Sequence, residues 1–211
     1  MRLRFLLRGA FAFGDQLELT AGLRHTIDSG ASLSFGYAYQ DNRFDPRVRT
    51  HSLFGQAAKE FSSKVSGDVS LGASYLDAAS PYVSSWTLVG GAGLSVRLKR
   101  TFFAFRYSRS RYQALILGRN QTVDLLYASL GRTLSRRVYL ALYAYYRNAQ
   151  DAVSDLYSYD TAVAGATLGV RIRKRGSAGV AYDFRHYHTS GLPGANRSSV
   201  SFFVGYARAF K

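Results

Sequence analysis

The chain of 211 residues carries 28 Lys and Arg against 13 Asp and Glu, a formal net charge of +15. Only 19% of its residues are charged while 15% are aromatic, which excludes a disordered basic tail, since such tails lack apolar residues to bury. There is no cysteine, so disulfide scaffolds, thiolate metal sites and cysteine nucleophiles are excluded as well.

The first residues, Met1 to Leu7, start like a signal peptide, but Arg8 interrupts the apolar stretch that such a signal needs. The chain is therefore expected to begin within a mature protein or to be the C-terminal part of a longer one. From there, residues alternate. Leu3, Phe5, Leu7, Phe11 and Phe13 share one parity, with Arg2, Arg4, Arg8, Ala10 and Ala12 on the other. Leu17, Leu19, Ala21 and Leu23 oppose Glu18, Thr20, Gly22 and Arg24, and Leu33, Phe35, Tyr37 and Tyr39 oppose Ser32, Ser34, Gly36 and Ala38. The same pattern continues through Val69, Leu71, Ala73 and Tyr75, then Trp86, Leu88, Ala92, Leu94, Val96 and Leu98. A period of two over ten or so residues is a strand with one apolar and one polar face.

Twelve such runs are expected, near 2–13, 16–27, 31–41, 50–61, 66–77, 86–99, 101–112, 122–134, 138–148, 161–174, 178–189 and 198–210. Two are ambiguous in phase. Leu125 and Leu126 are adjacent, and Tyr139, Tyr143 and Tyr145 oppose Val138, Leu140 and Leu142. Connections alternate in length: tight turns at 28–31, 99–101, 135–137 and 175–177, longer loops at 41–49, 77–85, 113–121, 148–160 and 190–197. The connection at 14–16 is short although it falls on the long-loop side.

A soluble β-sandwich alternates too, but its strands average about five or six residues. These runs are mostly 11–14 long, and a tilted membrane strand needs about 9–11. No apolar run is long enough for a membrane helix. Aromatic residues stand near run ends, at Phe13, Tyr39, Tyr75, Trp86, Tyr112 and Tyr146, as in the girdles of outer-membrane barrels. The expectation is an all-β fold, a closed antiparallel up-and-down transmembrane β-barrel of about 12 strands, with residues 1–211 as a single domain. A soluble sandwich or barrel is the competing reading.

The arginine-rich hairpin Leu130-Gly-Arg-Thr-Leu-Ser-Arg-Arg137, followed by Val138–Arg147, resembles those of Gram-negative outer-membrane β-barrels. Within that class the chain is most similar to the β-barrel porins of exopolysaccharide loci. The final run, Val200 to Phe210, is similar to the C-terminal signal read by the barrel-assembly machinery, with Gly205 five residues before the terminal aromatic Phe210. It departs from that signal at Arg208, where an apolar residue is expected, and at Lys211, which follows the aromatic. The resemblance implies a bacterial outer-membrane location, contact with outer-membrane lipids and lipopolysaccharide, tight turns on the periplasmic side, and a porin-like or export role.

The basic charge is expected at two places. One is the turn side, at Lys59, Lys64, Arg97, Lys99, Arg100, Arg132, Arg136, Arg137, Arg171, Arg173, Lys174 and Arg175. The other is the face opposite the apolar stripe, at Arg2, Arg4, Arg8, Arg24, Arg97, Lys99, Arg106, Arg132, Arg171, Arg173 and Arg185, with Glu18, Glu60, Asp68, Asp124 and Asp183 among them. On the lipid face such charges cost about 2–4 kcal/mol each at the midplane. Lining a lumen, they favour anions such as acidic saccharides. Alternatively they pair with the inward acids and plug it. Nucleic acid is not an expected partner, because the aromatics share a face with Leu and Val rather than interleaving with the charges.

Other chemistry is sparse. His25, His51, His186 and His188 have no metal-ligand spacing, no phosphate loop is present, and no cofactor is expected. His188 and Ser190 are two residues apart, with Asn196 nearby, a pattern similar to the His-x-Ser pair of outer-membrane lipid hydrolases; the competing reading is interfacial His and a loop-starting Ser. In the loop at 148–160, Asp151, Asp155 and Asp160 with Tyr157 and Tyr159 suit a cation or saccharide contact or plain solvation. Arg43, Arg47 and Arg49 suit lipopolysaccharide phosphates. A structural barrel that anchors a larger protein without transport is the remaining alternative.

Overall fold

A computed structural model describes the chain at residues 2–12, 16–28, 30–42, 48–78, 84–114, 119–151, 158–172 and 176–206, with side chains described from Leu19 onward except at 42, 78, 112–114, 119–120, 151 and 206. Twelve strands follow one another: β1 (Arg2–Ala12), β2 (Gln16–Thr26), β3 (Ala31–Asn42), β4 (Val48–Ser62), β5 (Val65–Ala78), β6 (Ser85–Arg97), β7 (Thr101–Ala114), β8 (Arg119–Thr133), β9 (Val138–Asp151), β10 (Ser158–Ile172), β11 (Gly176–Thr189) and β12 (Leu192–Tyr206). Each pairs antiparallel with its chain neighbours in a single sheet of order β1 to β12. Among the described residues there is no helix, and β12 is not hydrogen-bonded to β1.

The strands are 11 to 15 residues long, and several outrun the expected bounds at their loop-side ends. There the hydropathy alternation stops but backbone pairing continues, because every peptide still needs a partner. The largest departure is β12. The expected loop at 190–197 is a two-residue turn at Ser190-Gly191, and β12 starts at Leu192 rather than near 198. Gly191 has a φ of 79°, which only glycine adopts without strain in so short a connection. The terminal residues that carry the assembly-signal resemblance, Ala207 to Lys211, lie outside the described residues.

Inter-strand register makes the faces of successive strands coincide. Leu23 stands opposite Phe35, Phe35 opposite Gly55, and Gly55 opposite Leu71. Further round, Leu94, Phe105, Ala128, Ala144, Ala164 and Phe184 align in one row. This face bears the exposed large apolar residues, up to Phe202 at 84% and Val204 at 86%. The other face is concave: a cavity of 430 Å³ on it is lined from Arg24 on β2 to Tyr127 on β8. A protein whose greasy residues point outwards and whose polar residues enclose its interior inverts the ordinary soluble pattern.

A hydrogen-bonded row on the concave side runs Thr26, Ser32, Ala58, Asp68, Gly93, Arg106, Tyr127, Tyr145, Val163, Arg185, Arg197. It starts at the turn-side end of β2 and finishes near the loop-side ends of β11 and β12. Strands that tilt and stagger in this way are those that barrel closure demands.

The phase ambiguities resolve against neighbours. Leu126 faces outward between Tyr107 and Tyr146, and Leu125 faces inward beside Tyr127, Tyr145 and Arg147. On β9, Leu140 and Leu142 face outward, and Tyr139, Tyr143 and Tyr145 inward. Buried residues gather on the concave face at the loop side: Val48, Thr50, Ser74, Leu76, Gln121, Val123, Ala149, Thr161 and Val163. Open space remains on this face both towards the turns, in the cavity of 430 Å³, and towards the loops, in one of 470 Å³ lined by Ser110, Val123, Leu125, Tyr127, Tyr145 and Arg147.

Candidate functional site

The concave face is the place where chemistry-bearing side chains converge. Register puts Arg24, Arg97, Arg106, Arg147, Arg171, Arg185 and Arg197 on it, against Glu60, Asp68 and Asp183. Of the arginines expected there, Arg24, Arg97, Arg106, Arg171 and Arg185 are in place. Arg4 and Arg8 hold register positions opposite Arg24 and Thr20, and their side chains lie outside the described residues.

Three expectations are corrected. Arg132 pairs in register with Leu140, so it belongs to the outward, apolar parity at the turn-side end of β8, where a long side chain reaches the interface. Lys99 lies in the turn between β6 and β7, where the tight turn at 99–101 was expected, and so is not on the inward strand face to which it was also assigned. Asp124 is on the outward parity above the apolar band, where Tyr107 donates to its Oδ1 at 2.7 Å and Arg109 stands 3.6 Å from its Oδ2. Arg173 lies outside the described residues. Arg147 and Arg197 were not anticipated: polar neighbours at the loop-side ends masked their parity.

The turn-side cavity of 430 Å³ is lined by Arg24, Asp28, Glu60, Asp68, Arg106 and Tyr127, among others. Arg106 reaches over Gly93 on the intervening strand and donates to Asp68 at 2.7 Å. The bare Gly93 leaves room for this bridge, since a Cβ there would come within 2.7 Å of Asp68 Oδ1. Arg24 donates to Ser32 Oγ at 3.2 Å. Across the wall, Tyr143 repeats the device, reaching over Gly165 to donate to Asp183. Among the described residues Arg24, Arg97, Arg171, Arg185 and Arg197 are in no ion pair. The face thus keeps a positive surplus, which favours anions by Coulomb attraction and bidentate pairing.

The wall differs from side to side. Strands β2 to β6 present mostly Ser, Thr, Gln and small residues, with Ser52–Ser74 and Ser66–Ser95 hydroxyl pairs at 2.9 and 2.7 Å. Strands β8 and β9 present Tyr127, Tyr139, Tyr143 and Tyr145. The sequence carried a signal for this in the opposed Tyr and Leu of 138–146, but its direction needed the register.

On the outward face, Tyr39, His51, Tyr75 and Trp86 form one register row at the loop side, with Tyr75 and Trp86 ring centroids 4.8 Å apart. Beyond the apolar band, Arg49 lies 3.7 Å from Asp77 and 3.9 Å from Asp41, so this member of the expected phosphate-binding trio is already paired; Arg43 and Arg47 lie outside the described residues. Asp160 accepts from Tyr146 at 3.0 Å and from Asn148 at 2.6 Å. Asp151 ends β9, and Asp155 and Tyr157 lie outside the described residues.

The hydrolase constellation does not assemble as expected. Asn196, on β12, stands opposite His186 and lies 2.6 Å from its Nδ1, so it orients His186 rather than His188. Ser190 is in the β11–β12 turn, where its amide donates to Ser158 O at 2.9 Å, while His188 faces outward in the row with Asp160.

No protein-family model matches the sequence, and no curated protein is significantly similar to it. Among solved structures, the chain is similar to the NanC porin, at 12% identity and a TM-score of 0.42 over 97% of this chain and 100% of that one. It is also similar to the CymD monoaromatic hydrocarbon channel, at 13% identity and 0.44 over 98% and 78%, and to a FadL homologue of Pseudomonas aeruginosa, at 12% and 0.39 over 89% and 70%. All three likenesses are distant. On its own geometry, the chain is a twelve-stranded antiparallel up-and-down sheet with an apolar outer face and an arginine-bearing concave one.

Proposed function

We propose that this chain is an outer-membrane β-barrel of the channel type that passes or guides anionic solutes such as acidic saccharides. The observation that carries the reading is the surplus of inward arginines without acid partners, enclosed by an outward face of exposed Leu, Val and Phe. Lipid-exposed backbone must be fully paired, so in a bilayer the outer edges of β1 and β12 are paired as well and neither stays open. An exopolysaccharide-export role is the finer form of the proposal, drawn from the resemblance to porins of such loci.

Membrane placement has a direct test in Trp86, the single tryptophan, which is 71% exposed on the outward face. In vesicles its emission is expected to lie to the blue of exposed tryptophan and to be quenched by brominated acyl chains. Emission typical of water, with no bromine quenching, overturns the membrane reading.

Ion selectivity tests the function. Across a KCl gradient in planar bilayers, the reversal potential is expected to report chloride preference. Substituting Asp68→Asn removes the acid that holds Arg106 and is expected to shift that potential further towards chloride. Cation preference, or an Asp68→Asn variant that becomes less chloride-selective, defeats the anion reading. The burial of inward loop-side residues, with Leu76 and Ala149 wholly buried, favours a second reading, a non-conducting anchor barrel. Absence of any conductance from a folded, inserted chain selects that one.

A further inference from the structure

We propose that Arg185 and Arg197 form a carboxylate clamp for an acidic sugar, with the sugar ring lying towards Tyr145. The inference rests on the reading of the concave face as a solute path. Register sets Arg185 of β11 directly opposite Arg197 of β12, both on the concave side and both exposed. Like charges facing one another across a strand pair destabilise it. Neighbouring acids usually relieve such a pair, yet among the described residues neither arginine has an ion pair.

The acid nearest in sequence on the same face, Asp183, is committed elsewhere: Tyr143 donates to it across Gly165. Tyr187, on the same face, is the neighbour that engages Arg185, but among the described residues no carboxylate pairs with either arginine, and a bound oxyanion supplies one. Two adjacent guanidinium forks match the planar, two-oxygen geometry of a carboxylate.

What lies beside the clamp selects the rest of the ligand. In the same register row stand Val163 and then Tyr145, followed by Tyr127. Strand spacing puts the Tyr145 backbone about 10 Å from that of Arg185, with Val163 buried between them, so a single sugar ring lying over the two side chains spans both. Val163 supplies no charge or hydrogen-bonding group between them. Tyrosine offers both an apolar ring face for the C–H face of a pyranose and a hydroxyl for its edge. The juxtaposition of a fork pair and an aromatic ledge describes a sugar carrying a carboxylate, the uronic-acid type.

The test uses the full chain inserted in planar bilayers, with ionic current in KCl as the readout. Glucuronate is the probe, and glucose and inorganic phosphate are the comparisons. Glucuronate is expected to interrupt the current in a concentration-dependent way, and more strongly than either comparison. The double variant Arg185→Gln/Arg197→Gln is expected to raise the half-blocking concentration about tenfold or more, and Tyr145→Ala about fivefold. Arg132→Gln, on the outward face at the turn side, is expected to leave it within about twofold. The charge-preserving pair Arg185→Lys/Arg197→Lys guards against a folding defect: it keeps the field but loses the fork, and is expected to weaken the block.

Block by glucuronate that survives the double Gln variant overturns the clamp. Phosphate blocking as well as glucuronate, with no effect of Tyr145→Ala, overturns the sugar assignment. An anion-selective wild type that glucuronate does not block overturns this inference alone. A wild type without anion preference overturns the reading beneath it.

Discussion

Arginine at position 71 is expected to cripple membrane folding, while arginine at position 70 is expected to be tolerated. Leu71 is at the middle of β5, on the outward face, opposite Gly55 and Gly90, and is 70% exposed. If that face meets hydrocarbon, Leu71→Arg places a guanidinium near the bilayer midplane, at about 2–4 kcal/mol. Ser70 is its neighbour on the concave side, where its hydroxyl lies 3.5 Å from Gly91 O. An arginine there joins a face that already carries Arg24 and Arg106 and stays hydrated. Urea-dependent folding into phospholipid vesicles, followed by the emission of Trp86, separates the two. In a water-soluble sheet the order reverses, because exchanging an exposed leucine for arginine would improve solubility; a Leu71→Arg chain as stable as Ser70→Arg rejects the lipid-facing assignment.

The second large effect concerns glycines that let side chains cross a strand. A Cβ at Gly165 would lie 2.5 Å from Tyr143 Cζ and 2.6 Å from Asp183 Oδ1. Gly165→Val therefore drives the tyrosine off the strand and separates it from Asp183. Overpacking of this kind costs about 1–3 kcal/mol, and the lost hydrogen bond to a charged group adds roughly 1.5–3 kcal/mol more. Gly131 supplies the control, since a Cβ there meets nothing within 4 Å. Gly131→Ala is expected to stabilise the strand by about 0.5–1 kcal/mol, as glycine in a strand interior pays an entropic cost. Equal stability of Gly165→Val and Gly131→Ala, measured by the same urea titration, refutes the bridging role.

Much of this architecture was legible in residue order because strand geometry is a local property. Side chains two apart share a face whatever the strand is paired with, so Leu33, Phe35, Tyr37 and Tyr39 declared one face, and Arg24 and Arg106 declared the other. The number of strands and most of their bounds followed from such alternation. It failed where alternation fades. The β12 start at Leu192 was hidden because Gly194, Asn196 and Arg197 look like loop residues, although the backbones of Leu192, Ala195, Asn196 and Arg197 pair with Thr189, Tyr187, His186 and Arg185.

Misplaced charges show the same boundary. Arg132 and Asp124 are both on β8, whose adjacent Leu125 and Leu126 admit either phase, and reading the wrong phase carried both residues to the wrong face. Asn196 was assigned to His188 because the two are close in sequence to Ser190, whereas cross-strand register hands it to His186. Proximity along the chain says nothing of which residue stands opposite on the next strand.

By itself, then, the sequence determined the all-β class, the strand count and an amphipathic face for most strands, since each depends on a period of two within one strand. Only the tertiary structure decided which faces coincide, which arginines keep acid partners, and that Tyr143 crosses Gly165 to engage Asp183. Those depend on register between strands, and register is set by twelve neighbours pairing together rather than by any one of them.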